Sequence, residues 1–411
     1  MENPPIPNQS RRHFLAGVAG AGALTALGEA AALREALAQS APAAPPGTLT
    51  NEVIKAGKVP AMQYHSERPI TGSVPAHEHD FDFTPTDRVF IRNNLLTPDL
   101  DINAHRVTLK GLVDKELGFS VAELQKSFPV VSMAGMLECA GAGRTNYLPR
   151  ASGTPWGPTG GMSCPVWTGV RLKDVLAAAG LKGNAAHVAG QGGDPGAVAT
   201  AAPVIRSIPM SKAMDENTLL AWGMNDAPLP KIHGYPLRLV TPGWVGSAST
   251  KWLETIHVLD APFKGTYMTG SYIVPKWPVK PGEKMPPDTV STQAWPVKSM
   301  ITSPAPESSH KGNQQVTVRG KAWVGEGEVK HVDVSWDEGI TWHRASLRRA
   351  KDKFAWSTFS IEFQPQRLGY VTFLARATDD RGNVQPITPY WNPLGYFWNG
   401  IHRVGVMIVP A

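Results

Sequence analysis

The chain has 411 residues, enough for two domains, and its 40 Lys+Arg against 34 Asp+Glu leave a formal charge of +6. That modest excess suits an anionic substrate or an acidic partner. With no Lys/Arg-dense helix or arm in the sequence, it excludes a nucleic-acid footprint.

The N-terminus carries Ser10-Arg11-Arg12-His13-Phe14-Leu15 before a weakly apolar stretch from Ala16 to Leu27. Adjacent arginines ahead of a mild hydrophobic region read as a twin-arginine export signal. Ala36-Leu-Ala38 offers a small-residue cleavage site, so residues 1–38 are expected to be removed and the protein to reach the periplasm. That run is short and glycine-rich for a membrane anchor, and no other segment is long and apolar enough to cross a bilayer. Such export carries folded proteins, which raises the expectation of a cofactor.

Residues 39–84 read as a leader segment, with 41–60 rich in Ala, Pro and Gly and expected to hold little structure. His77-Glu-His79-Asp80 is expected to be a solvated loop rather than a metal cluster, since it has no distal partner motif. Residues 85–273 show a mixed α+β pattern. Arg88 to Arg92 and His105 to Leu109 are strand-like. Ser120-Val-Ala-Glu123 is a capping box opening a helix through Ser127, and Leu172 to Ala179 is a helix closed by Gly180. Within this region Met136-Leu-Glu-Cys139-Ala-Gly-Ala-Gly-Arg144 places one of only two cysteines between an apolar run and a glycine-rich turn. A thiolate in that setting suits a soft-metal ligand or a nucleophile; the bland alternative is a small buried hydrophobe. Pairing with Cys164 in an oxidising compartment would remove it as a ligand. Cys164 itself reads as structural.

Residues 274–298 are rich in proline and lysine and read as a linker over a surface. From 299 to 411 the period becomes two. Strands are expected at Val316 to Val318, Val332 to Trp336, Phe354 to Ile361 and Tyr370 to Ala377, with turns at Asp337-Glu-Gly339 and Asp379-Asp-Arg-Gly382. This fits an immunoglobulin-like sandwich. Trp323, Trp336, Trp342 and Trp356 alternate with polar residues and are expected in its core or interface. The Asp379-Asp380 pair is a turn feature.

Several motifs, in order, resemble the sulfite oxidase family: Phe90-Ile-Arg-Asn-Asn94, Glu138-Cys-Ala-Gly141, Trp156, Trp167-Thr-Gly-Val170, His233-Gly-Tyr-Pro-Leu-Arg238, Gly243-Trp-Val-Gly246 and Lys251-Trp-Leu253. The resemblance covers about residues 85–400. It implies an α+β molybdopterin-binding domain followed by an immunoglobulin-like dimerisation domain, with molybdenum on molybdopterin as cofactor. By matching position, Cys139 resembles the thiolate on the metal. Arg92, Asn93, His233, Arg238, Ser249, Thr250 and Lys251 resemble cofactor contacts, and Asp194 matches a pterin-contacting aspartate. Arg92 and Arg144 match arginines around the substrate oxyanion, Trp156 a pocket wall, and Tyr272 a tyrosine beside the metal, with Tyr267 as the other candidate.

Two departures stand out: Asn94 where the family commonly has histidine, and Leu394 in Tyr390-Trp-Asn-Pro-Leu394-Gly395 where it has a substrate arginine. The resemblance implies oxidation of sulfite, with a separate c-type cytochrome as acceptor, because the chain has no C-x-x-C-H motif for a haem of its own. Alternatives are a sulfane dehydrogenase subunit of the sulfur-oxidation system, a methionine sulfoxide reductase (disfavoured by the second domain), and a cofactor-free binding scaffold.

Overall fold

The strand Ile70–Ser73 is buried on both faces, which is why it offers no alternation to read from sequence. It pairs with Gln63–Glu67 and with Ile91–Arg92 in a three-stranded sheet. The computed structural model describes residues 47–411, so the export signal and its cleavage site lie outside the described residues. The segment expected to be a bare leader is therefore built into the fold from Thr50, whose side chain accepts from the Val53 amide to cap helix Asn51–Ala56. The expected strand at Arg88 shrinks to Ile91–Arg92, because Pro85 opens a tight turn over Thr86–Arg88.

Both predicted helices form. In Val121–Ser127 the capping box is reciprocal: Ser120 Oγ accepts from the Glu123 amide at 3.2 Å, and Glu123 Oε2 accepts from the Ser120 amide at 2.7 Å. Helix Leu172–Ala179 buries Leu172, Val175, Leu176 and Ala179, a three-four spacing that makes one apolar face. It stops at Gly180, whose φ is +68°, where a Cβ would come within 2.5 Å of Asp114 Oδ2.

These helices cover two five-stranded sheets. One runs in the order Ile205–Pro209, His187–Gly192, Leu253–Leu259, Val107–Gly111, Leu117–Phe119. Its central strand Leu253–Leu259 pairs antiparallel with His187–Gly192 and parallel with Val107–Gly111. The other contains Ala227–Pro228, Leu219–Met224, Val166–Arg171 and Val130–Ala134, with Arg238–Val240 paired to Leu219–Met224. The chain between Arg238–Val240 and Leu253–Leu259 folds back on itself: Leu253 N donates to Leu237 O and Leu239 N to Thr250 O, both at 2.8 Å.

The C-terminal region is a sandwich. A four-stranded sheet, Lys298–Ser303, Val316–Trp323, Ser357–Phe363 and Ser346–Arg348, faces a five-stranded sheet of Ser309–Lys311, His402–Val409, Gly369–Asp379, Val329–Ser335 and His343–Arg344. Val318, Phe359, Val334, Phe373 and Val406 meet between them. Trp336 packs against this core and stacks on His343 at 4.0 Å, while Trp342 carries the Arg376 guanidinium on its ring face. Trp323 and Trp356 instead join Met136, Ala140 and Met162 of the first half in a shared cluster.

Two expectations need correction. The proline-rich segment 274–298 is more than a linker: Ile273–Pro275 pairs with Thr289–Ser291, and Trp295 is buried. Pro275 is the last residue of its strand on an isolated two-stranded ribbon, where a proline is tolerated, and the other prolines lie outside both strands. His79 is not solvated; it is fully buried, edge-on to Trp356, and burial pushes its imidazole down to about 3. Its neighbour Asp80 accepts from Thr302 and Arg319 and so ties the turn to the sandwich. The sequence hid this because the partners lie more than 200 residues away. Cys139 and Cys164 do not pair; both are free, buried thiols, so Cys139 stays available as a ligand, and burial pushes Cys164 up to about 12.

Candidate active site

Cys139 follows directly on the short strand Leu137–Glu138. Its amide donates to Gly161 O at 2.8 Å and its carbonyl accepts from Ala142 N at 2.8 Å, so the backbone on both sides is fixed. Gly161 has φ +77°, and a Cβ there would press on both Cys139 Cβ and the Trp156 ring. Trp156 thus braces the cysteine loop from behind rather than lining the space in front of it. Among the described residues no group of three or more His, Cys, Asp or Glu could hold a metal ion alone. A metal at Cys139 would have to bring most of its own ligands.

Cys139 lines a small cleft. Arg92, Asn94, His233, Arg238, Lys251 and Tyr272 share it with Cys139, and Ser249 and Ser247 complete the polar lining. Arg238 is buried; it donates from Nη1 to His233 O (2.8 Å) and from Nη2 to Ser249 O (3.2 Å). Its Nε has no partner. Burial pulls the guanidinium down to about 9. Lys251 donates to Asn93 Oδ1 and to Ile232 O. Burial, and then Arg238, force its ammonium well below the ordinary lysine range, with Asp194 pulling the other way. Asp194 is pushed up to about 6 by burial, against the pull of Lys251. His233 is held well below its usual value by burial and by Lys58, Lys251 and Arg238.

Arg92, Arg238 and Lys251 thus share one buried space, in which Asp194 is the carboxylate that acts on Lys251. Buried charges need partners, and an anionic group is the missing one. The donor set therefore fits a ligand with a phosphate at the Arg238–Lys251 end and a soft metal at the Cys139 end.

At the other wall, Arg92 donates to Asn93 O and to Asn94 Oδ1, the latter at 2.9 Å. Asn94 Nδ2 lies 3.0 Å from the Tyr272 hydroxyl, so the asparagine joins arginine to tyrosine. Burial works against the Arg92 cation, yet Tyr272, Cys139 and Tyr396 outweigh it and its pKa ends above the ordinary value.

The sequence-derived set divides. Arg92, Cys139, His233, Arg238, Ser249, Lys251 and Tyr272 line one cleft, and Asn93 and Asp194 act on it through Lys251. Thr250 contacts Gly190 O instead, and Tyr267 packs beside Tyr272 without lining the cleft. Arg144 also stands back. Its Nε donates to Leu394 O at 2.9 Å and it lies 5.1 Å from the Tyr396 ring centre.

Three residues escaped the sequence reading. Tyr396 stacks on Tyr272 at 5.7 Å and 10°. Arg206 lies 5.0 Å from the Tyr272 ring centre, donating to Tyr267 O, Ser291 Oγ and Thr292 O. An arginine inside the apolar run Val204-Ile-Arg-Ser-Ile208 is the same signal that singled out Arg92, and it could have been found. Lys58, behind His233 at 2.7 Å, carried no local signal.

Residues 94–267 match the family model described as oxidoreductase molybdopterin binding domain, and residues 289–409 that of the Mo-co oxidoreductase dimerisation domain. The chain is 34% identical over 371 residues to mitochondrial sulfite oxidase of Rattus norvegicus, covering 85% of this chain and 66% of the relative. It is 32% identical to sulfite oxidase of Gallus gallus, covering 84% and 77%. The chain therefore spans about two thirds of the length of the mammalian relatives it matches. Among solved structures, the sulfane dehydrogenase SoxCD from Paracoccus pantotrophus aligns with a TM-score of 0.72 at 27% identity, over 90% of this chain and 95% of that one.

Proposed function

As this chain belongs to the sulfite oxidase family of molybdopterin oxidoreductases, we propose that it oxidises sulfite to sulfate and passes the electrons to a separate c-type cytochrome. The observation that carries this reading is the convergence of Cys139, the Arg238–Lys251 cations and Arg92 on one cleft. When bound, molybdenum on molybdopterin supplies two-electron oxygen-atom transfer.

The chain's own residues would do the rest. Cys139 gives the metal a soft anionic donor. Arg238 and Lys251 neutralise the anionic end of the cofactor, with Ser249 O and Asn93 Oδ1 holding their geometry. Arg92 gathers a sulfur oxyanion and steadies its charge. Asn94 positions the Tyr272 hydroxyl, which can hand a hydrogen bond to the same oxyanion. The stack of Arg206, Tyr272, Tyr396 and Arg144 fixes the tyrosine ring from both sides. Export to the periplasm through the twin-arginine signal and a homodimer through the sandwich domain belong to this reading.

A second reading, dehydrogenation of sulfane sulfur, is favoured by the full-length likeness to SoxCD and by the withdrawal of Arg144 from the cleft. The test is an anaerobic sulfite titration of molybdenum-loaded protein with cytochrome c as acceptor. Sulfite-dependent reduction is expected. Loaded protein that ignores sulfite sinks the substrate, and protein without stoichiometric molybdenum sinks the cofactor.

Leu394 supplies a further expectation. A charge-assisted hydrogen bond contributes about 1.5–3 kcal/mol, so Leu394→Arg should lower KM for sulfite about tenfold or more. An unchanged KM in steady-state assays would show that position 394 does not face the substrate.

A further inference from the structure

Lys58 lies just past helix Asn51–Ala56, in a segment that looks expendable by composition, yet its ammonium reaches inward to the backbone of residues 86–89 and to the His233 ring. Nζ has three partners: the acceptors Thr86 O and Val89 O, each at 2.9 Å, and the ring nitrogen His233 Nε2 at 2.7 Å. An ammonium has three N–H donors and no lone pair. A neutral amine has two N–H bonds, and one of the three partners would then face its lone pair. Only a protonated Nε2 could face that lone pair, since both carbonyls accept; a charged Lys58 can only donate, and Nε2 must then carry no proton.

His233 cannot answer by becoming a cation, because Lys58, Lys251 and Arg238 already surround it. Its ring is buried in the turn Lys231–His233, and among the described residues Nε2 makes its one hydrogen bond. Which ring nitrogen keeps the proton is set by the bond the other makes.

We propose that Lys58 is a positioning residue that forces the His233 proton onto Nδ1, so that His233 meets the cofactor cleft as a hydrogen-bond donor. Free imidazole favours the opposite tautomer, so the assignment is not the default one. The use made of that donor, an added contact to the anionic cofactor, rests on the cofactor reading above; the tautomer does not. Burial draws Lys58 down to about 7, with Asp87 opposing. At pH 6 it is therefore charged while His233 stays neutral.

The test uses the full chain labelled with 15N in its imidazole rings, observed by long-range 1H–15N correlation at pH 6. The His233 signals are identified by their loss in His233→Gln. The expected spectrum shows a protonated Nδ1 and a bare Nε2, and Lys58→Met moves the proton to Nε2. Outer-shell partners of this kind are worth roughly 10–100-fold in metal affinity, so molybdenum and pterin retained through gel filtration should fall about tenfold in Lys58→Met. A wild-type His233 protonated at Nε2 overturns the proposal by itself, even where Lys58→Met does not fold. An unchanged tautomer in a folded Lys58→Met overturns it too. If wild-type protein binds no molybdenum, the cofactor reading fails while the tautomer is still read.

Discussion

Lys298→Met is expected to lower the stability of the folded chain by about 3–5 kcal/mol, the usual cost of stranding one member of a buried ion pair. Glu138, the residue before Cys139, is fully buried. Its Oε1 accepts from Lys298 Nζ at 2.7 Å and its Oε2 from Trp323 Nε1 at 2.8 Å, both from the C-terminal sandwich. Burial raises Glu138, and Lys298 and Trp323 pull it back.

With Lys298 gone, burial is opposed by the Trp323 hydrogen bond alone, and the carboxyl must take a proton to stay inside. A carboxyl whose folded pKa is raised is best tolerated below its unfolded pKa and loses that stability as pH rises through the folded one. The deficit of Lys298→Met should accordingly be largest at pH 7.5 and shrink toward pH 5. Urea denaturation at the two values checks it; a deficit independent of pH would show that Glu138 is not the group left stranded. Lys55 and Glu67 form a pair of the same chemistry at 2.8 Å but are exposed, so Lys55→Met should cost only about 0–1 kcal/mol. Because Glu138 leads directly into Cys139, the same change should also loosen the cysteine loop. The second domain is thereby a structural support of the site, in addition to any role in association.

The other large effect falls on activity. Cys139→Ser replaces a soft thiolate with a hard hydroxyl at the position where a metal would be held through a redox cycle. Its loss should exceed the roughly 10–100-fold that follows removal of an outer-shell partner. Arg238, Lys251 and His233 remain in place, so much of the pterin should still be retained. Metal content by mass spectrometry and turnover with cytochrome c, measured on one preparation, separate the two effects. Full turnover in Cys139→Ser would end the ligand assignment. Loss of both metal and pterin would shift the weight of cofactor binding from the cation end to the thiolate.

Local patterns were enough for the elements that depend on neighbours in sequence. The Ser120–Glu123 box, the Leu172–Ala179 face with its Gly180 stop, and the alternating strands of the sandwich all carry their cause within ten residues. The cysteine, the His233–Arg238 pair and Lys251 were legible because rare residue types sat in family-ordered motifs. What the sequence could not hold was the set of contacts made between distant residues. Arg144 reads as a cleft residue, but Leu394 O and the Tyr396 ring hold it back. His79 reads as solvated, but Trp356 covers it. Lys58 sits in a stretch of alanine, proline and glycine with nothing to mark it, and becomes important only when the fold brings two carbonyls and the His233 ring around its nitrogen. Sequence decides which groups a segment can offer; burial and the charges packed around each group, which belong to the tertiary structure alone, decide which form each adopts and what it touches.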